Sequence, residues 1–427
     1  MSIAVIGGGW AGLSAAVELT LAGQQVTVYE SALEPGGRAR RVHAKKQFLD
    51  NGQHLLIGAY SETLRLMDIV NPGSTETGFV RLPLTLDYPG KVFIRAPRLP
   101  APLHLAFSLL FAHGLSLADK LAAIRFIQSL KQTGFKPPED LSVAQAVAQQ
   151  PERVRRYLWE PLCVAALNTP LEHASFRVFS RVLQDALTGQ RGNSDFLIPA
   201  RDLSSLFPEP ACNWLAKNGS AIKTGCRVHA LSPANHGWKV VHANGETRHE
   251  QVVIASSATQ AASLLECLPQ CVEIARQIQA IQYQPIVTVY ADYPVPLTFR
   301  TPLIGWVDPV PLFVFDLQTI QSKPGRIAVV ASASGEHLEW DEARWRDEVH
   351  TRMQQAFGTL PPPAILQRIM EKRATFSCTP GLLRPQQTTP YRGLYLAGDY
   401  VAGPYPATLE GAVRSGVKCA QTLLDNL

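Results

Sequence analysis

The chain has 427 residues, 46% hydrophobic and 18% charged, an ordinary globular composition with length for two domains or one large two-part fold. A formal net charge of +5 is too mild to argue for a nucleic-acid partner, and clusters such as Arg153, Arg155 and Arg156 read as a solvated helix face; weak positive charge also suits an anionic membrane. Seven scattered cysteines, an odd number, argue for reduced cytosolic thiols rather than a disulfide framework.

The first element is a short apolar strand, IAVI (3–6), so no secretory leader is expected before it. GGGWAG follows and opens a helix, SAAVELTLAG, that stops at Gly23; QVTVYE is a second strand, ending at Glu30. Together they make a βαβ unit. Gly7, Gly9 and Gly12 form the GxGxxG pattern. The first glycine permits a tight turn, the second lets backbone approach a pyrophosphate, and the third lets the helix pack close to its strand. The helix start at Trp10 and Ala11 then turns its positive dipole end to the phosphates. Glu30 stands 18 residues after Gly12, where a carboxylate takes the adenosine ribose hydroxyls and disfavours NADP.

EPGGRAR (34–40) comes next. Gly36 and Gly37 allow a second close backbone approach, and Arg38 could help neutralise a pyrophosphate. NAD-dependent dehydrogenases do not usually require this extension; one large class of FAD proteins does. LDNGQHLLIGAY (49–60) then breaks an apolar run with Asn51-Gly52, followed by Gln53 and His54. Either the chain only bends there, or its backbone must come close to something.

From 80 to 100 the pattern is strand-like, with Pro83, Pro89, Pro97 and Pro100 as breakers; 103–190 reads mostly as helices. LHLAFSLLF (103–111) is the run nearest to a membrane span, yet far short of the roughly 18 to 20 residues needed. RDLSSLFPEPACNWLAKNG (201–219) reads as one helix. AIKTGCRVHAL, WKVVHA and QVVIASSA are strands with a hairpin turn at Asn244-Gly245. Cys267 and Cys271 lie one helical turn apart with no second pair, so no metal site is expected. Strands fill 281–335 and an amphipathic helix 337–357.

The chain ends in strand, loop and helix: LYLAGDY (394–400), then PATLEGAVRSG (406–416). Gly398-Asp399 closes the strand, and Asp399 could bond the ribityl or phosphate part of a flavin. The helix start near Thr408 and Leu409 could face the ring edge that carries negative charge when reduced. The nucleotide-type segments lie at opposite ends of the chain, so discontinuous domains are expected: 1–80, 200–280 and 376–427 in one, 81–199 and 281–375 in the other, with a helical lid. No second GxGxxG follows a strand, so the flavin reductant is expected to be a partner, a weaker site or free reduced flavin.

GGGWAGLSAA, EPGGRAR, the strand pair around Cys226-Arg227-Val228, VVIASSA and LAGDY…EGAVRSG occur in this order along the whole chain. In this set the chain resembles the FAD-binding proteins of the amine oxidase and phytoene desaturase superfamily. The resemblance implies an α/β fold: a Rossmann-type, glutathione-reductase-2-like FAD-binding domain with a discontinuous mixed α+β substrate domain. It also implies that Val228 touches the adenine through its backbone. DNGQHLLIGAY, YLWEPLCVAALNTP (157–170) and SDFLIPARDLSSLFPEPA (194–211) carry a finer resemblance, to the hydroxysqualene dehydroxylases of bacterial squalene and hopanoid synthesis. The implied reaction converts hydroxysqualene and reduced FAD to squalene, water and oxidised FAD.

Losing an allylic hydroxyl as water would leave an allyl cation, to which flavin N5 can deliver a hydride. That chemistry needs a proton donor and a dry apolar tunnel. His54 is one candidate acid, since DNGQH should lie along the flavin with Gly52 and Gln53 beside the ring; its plainer reading is a core histidine bonded to a carbonyl. Tyr405, next to the flavin-facing helix, and Glu160, in the family-specific segment with Asn168, are others, each with a purely structural alternative. The substrate must be drawn from a membrane, so residues 103–114 are read as an interfacial helix or a buried lid. The expected setting is cytoplasmic, peripheral at the inner face of the cell membrane, with a homodimer left open. A carotenoid desaturase, an amine oxidase or a non-enzymatic flavin-binding redox sensor are the competing readings.

Overall fold

The computed structural model describes residues 1–44 and 47–427. Its central sheet is parallel, in the order Ala221–Lys223, Gln25–Tyr29, Ser2–Ile6, Gln251–Ile254, Leu394–Leu396. A parallel sheet must be covered on both faces, and the first strand shows how. Ile3 and Val5 join an apolar cluster with Leu13, Val17, Val413 and Val417; Ala4 and Ile6 join another with Tyr29, Val228 and Ile254. The first helix, Trp10–Leu21, and the last, Leu409–Asp425, therefore lie on the same face. They pack so closely that a Cβ on Gly416 would sit 2.1 Å from the Ala11 carbonyl oxygen.

A second sheet is antiparallel, in the order Leu303–Trp306, Leu312–Asp316, Arg326–Ser332, Tyr283–Asp292, Ala364–Phe376. Along Tyr283–Asp292 the residues alternate. Val287, Val289 and Ala291 pack with Trp345, Val349 and Met353 of the helix Glu342–Phe357. Thr288 and Tyr290 face the other way, and the Tyr290 hydroxyl donates to the Asp50 carbonyl at 3.1 Å. That bond sets the sheet against the segment containing Asn51-Gly52.

Three local features differ from the sequence reading. RDLSSLFPEPACNWLAKNG is two helices, Leu203–Leu206 and Pro208–Lys217. Pro208 lacks the N–H to continue the first and suits the opening turn of the second. The edge strand Ala364–Phe376 went unread because Arg368, Glu371, Lys372 and Arg373 mask its alternation; such charge also protects an edge from stray pairing. The helical stretch from Glu152 contains a π-turn at Arg155–Trp159 before continuing as Glu160–Leu167. It lies just ahead of Pro161, which cannot close the usual bond one turn back. Asn168 ends the stretch at φ 47°. Its amide donates to Thr375 Oγ1 at 2.9 Å and to the Pro285 carbonyl at 3.2 Å, clamping the helices to the second sheet.

Candidate active site

The two glycine-rich turns pack against each other. Gly7 has φ +114°, and a Cβ there would meet the Ala255 carbonyl oxygen at 2.6 Å; one on Gly12 would meet the Gly7 carbonyl oxygen at 1.9 Å. Packing alone demands these two glycines. Gly9 is different: a Cβ there would meet only the Gly37 Cα, at 3.9 Å. The second turn docks on the first, with the Gly36 amide donating to the Gly8 carbonyl at 2.8 Å and Gly37 at φ +62°. At the helix start the N–H groups of Trp10, Ala11 and Gly12 have no carbonyl one turn back, no side chain caps them, and all three residues are buried.

Glu30 lies at the end of its strand, buried, with one carboxylate oxygen accepting from the Gly8 amide and the other from the Ala32 amide, both at 2.7 Å. The Cys226 amide donates to the Glu30 carbonyl at 2.8 Å, which brings Val228, buried at the start of the next strand, to the same end of the sheet. Arg38 is partnered within the chain. Its guanidinium pairs with Asp399 at 2.6 Å and donates to the Ala374 carbonyl at 2.7 Å. Burial pulls its pKa down, but the charge and hydrogen bond of Asp399 outweigh this and hold it above the ordinary value. The pair joins the two ends of the chain. Gly398 is at φ +148°, so Asp399 leaves its strand through a turn that favours glycine.

The segment after Asp50 supplies unpartnered polar groups. Asp50 accepts from the Leu203 amide at 2.8 Å. Asn51 donates to the Arg38 carbonyl at 3.1 Å and to Glu371 at 3.2 Å, tying the second glycine turn to the edge strand. Gly52 is not in the left-handed region, and a Cβ there would make only an ordinary contact, 3.5 Å from Thr288 Oγ1. Gln53 is buried, yet neither its amide nitrogen nor its oxygen finds a partner among the described residues, and nor does Thr288 Oγ1. His54 Nδ1 lies 2.7 Å from the Gly52 carbonyl oxygen. A carbonyl only accepts, so Nδ1 carries the proton and Nε2 presents a lone pair. Burial, and less strongly Arg38, push the imidazole pKa below its ordinary value despite that bond.

The last helix is capped by Thr408, whose hydroxyl accepts from the Gly411 amide at 3.1 Å. Glu410, buried in the first turn, accepts from both the amide and hydroxyl of Thr63 at 2.9 and 2.7 Å and from Arg414 at 2.7 Å. This fixes the helix start against the helix Ser61–Val70. Tyr405 accepts from Arg181 at 2.7 Å, and burial, then Asp185, push its phenol up to about 12. Glu160 is raised by burial and then by Glu172.

These residues fit a flavin dinucleotide. A buried helix start with no side-chain cap, at a glycine cradle, suits a pyrophosphate, Glu30 and Val228 lie together at the end of the sheet for an adenosine, and the orphaned Gln53 amide suits the polar edge of the ring. The sequence pattern of the flavin containing amine oxidoreductases matches residues 10–424. The chain belongs to the flavin-containing amine oxidoreductase family. A hydroxysqualene dehydroxylase of Rhodopseudomonas palustris is 30% identical over 99% of this chain and 98% of its own. One from Sinorhizobium fredii is 28% identical over the same shares. An oxidoreductase structure from Methanosarcina mazei, 17% identical, superposes with a TM-score of 0.73 over 99% of this chain and 100% of its own. As a flavin-containing amine oxidoreductase, the protein is an FAD-dependent oxidoreductase.

The three acid candidates do not share one set of neighbours. The charged group acting on His54 is Arg38, those acting on Glu160 are Glu172, Arg156 and Arg155, and those acting on Tyr405 are Asp185, Arg414 and Arg181. Thr288 was missed by the sequence reading. Its signal is faint: one hydroxyl on the face of a strand otherwise rich in Val, Ile and Tyr.

Proposed function

We propose that this flavoenzyme removes the hydroxyl of hydroxysqualene reductively, giving squalene and water, within squalene and hopanoid synthesis. The observation that carries the reading is the full-length likeness to chains bearing the dehydroxylase name. Held by the glycine cradle, Glu30 and Val228, a bound reduced FAD would supply the hydride. The chain's own residues bind, orient and protonate. The unpartnered Gln53 amide and Thr288 hydroxyl hold polar edges next to the reacting carbon, while the surrounding apolar cluster excludes water. His54 Nε2 accepts the substrate hydroxyl's hydrogen and orients it; as imidazolium, His54 donates the proton that leaves with the hydroxyl as water.

The acid form of His54 grows as pH falls below its ordinary value of 6.5, because burial lowers the folded pKa. Flavin reoxidation in a single turnover should therefore quicken toward acid. His54→Asn should lose that limb and slow the reaction by about 100-fold; an unchanged rate and profile would remove His54 from the mechanism. We place the enzyme in the cytoplasm, peripheral at the inner face of the cell membrane, with a separate component reducing its flavin. The direct test mixes anaerobically reduced holoenzyme with hydroxysqualene. Return of the oxidised flavin spectrum together with squalene supports the assignment; a flavin that stays reduced overturns it.

A further inference from the structure

The helix Leu103–Leu110 is built the wrong way round for water. His104, Ser108 and Leu109 are its buried residues, with His104 Nε2 3.1 Å from Ser194 Oγ. Leu103, Leu110 and the following Phe111 are 48%, 51% and 66% exposed. The next helix, Leu117–Gln132, continues the face: Leu117 and Leu121, one turn apart, are 68% and 42% exposed, and exposed Arg125 follows one turn on. A helix on an aqueous surface has the reverse arrangement. Phe107 is only partly exposed and packs its ring 5.7 Å from that of Phe111.

The loop between these helices is braced. Phe93 and His113 exchange backbone hydrogen bonds of 3.1 and 2.9 Å. A Cβ on Gly114 would sit 1.9 Å from the Lys91 carbonyl oxygen, and Arg153 donates to the Gly114 carbonyl. The apolar side chains are thus held out by an ordered frame. Charge adds a second observation. Between residues 91 and 136 stand seven lysines and arginines against a single acid, Asp119; that acid is buried, engaged with Ser116 in capping its helix.

We propose that this corner docks on an anionic lipid bilayer. Leu110, Phe111, Leu117 and Leu121 enter the acyl boundary, and Arg98 and Arg125 meet phosphate headgroups. The purpose of the contact, entry of a lipid substrate, rests on the dehydroxylase reading; the surface itself does not. FAD-loaded protein should float with vesicles of phosphatidylcholine and phosphatidylglycerol, float poorly with phosphatidylcholine alone, and be released by salt. The pair Phe111→Glu, Leu117→Glu should weaken vesicle binding by about tenfold or more and slow turnover of vesicle-borne substrate. No flotation with the anionic vesicles, or equal flotation of the pair, overturns the proposal. So does a wild-type dimer that the pair converts to monomer, since a second copy of this chain would then own the surface. Turnover of detergent-dispersed hydroxysqualene should be unchanged in the pair; its absence in wild type alongside intact vesicle binding would overturn the dehydroxylase reading alone.

Discussion

Gly9 and Gly52 differ from Gly7 and Gly12 in what a methyl group would meet. At Gly7 and Gly12 it would strike backbone; at Gly9 and Gly52 it would find room. Glycine at the latter pair leaves room that a bound ligand would use. Gly9→Ala and Gly52→Ala should unfold within about 1 kcal/mol of wild type without FAD, while FAD affinity falls by about tenfold or more. Equal affinity in a flavin titration would return these glycines to ordinary turns. Asp50, next to this segment, has its carboxyl pushed up to about 7, chiefly by burial, against the pull of the Leu203 amide. The folded protein therefore keeps a proton that the unfolded chain releases near 3.8. This contribution to stability is whole below that value and is lost as pH rises through about 7, at up to about 1.4 kcal/mol per pH unit. Urea unfolding should show wild type losing more stability than Asp50→Asn between about pH 5 and pH 8; parallel profiles would exclude Asp50.

The first and last helices form the element that matters most to the site. Their crossing is set by Gly416 over Ala11, and both begin at the candidate site, one at Trp10 and the other after Thr408. Because the obstacle at Gly416 is backbone, relief requires one helix to move. Gly416→Ala should lower stability by about 1–3 kcal/mol and loosen FAD as well, since the amides at Trp10 and Ala11 would shift with the helix. A variant that unfolds like wild type would show the crossing to be slack. The edge strand Ala364–Phe376 teaches the complementary lesson at this scale. Its charges hid it in the sequence, yet through Glu371 and the Ala374 carbonyl it holds Asn51 and Arg38.

At the scale of the molecule, both ends of the chain and the second sheet meet at the candidate site. Arg38 meets Asp399, and Asn51 meets Glu371. FAD therefore bridges parts of the chain that unfolding separates, and ligand that binds only the folded form stabilises by mass action. Free FAD at about 100 times its dissociation constant should add about 2.7 kcal/mol. The apoprotein's melting temperature should rise steadily with FAD concentration; a midpoint indifferent to FAD would mean that the site does not close around it.

The nucleotide cradle was legible in the sequence because its rules are local: a glycine's φ, a helix start and a strand end act within a few residues. The order of motifs was also enough to indicate the family and its flavin. Tertiary structure alone decided the rest. Arg38 pairs with Asp399 because the ends of the chain fold onto each other. Thr288 came within reach of Gly52 through the packing of a sheet that no short-range pattern announces. The bend at Asn51-Gly52 holds the second glycine turn and a distant strand together, and His54 behind it presents a lone pair because of one carbonyl. Such long-range pairings depend on which surfaces meet, and that is settled by burying apolar area across the whole chain.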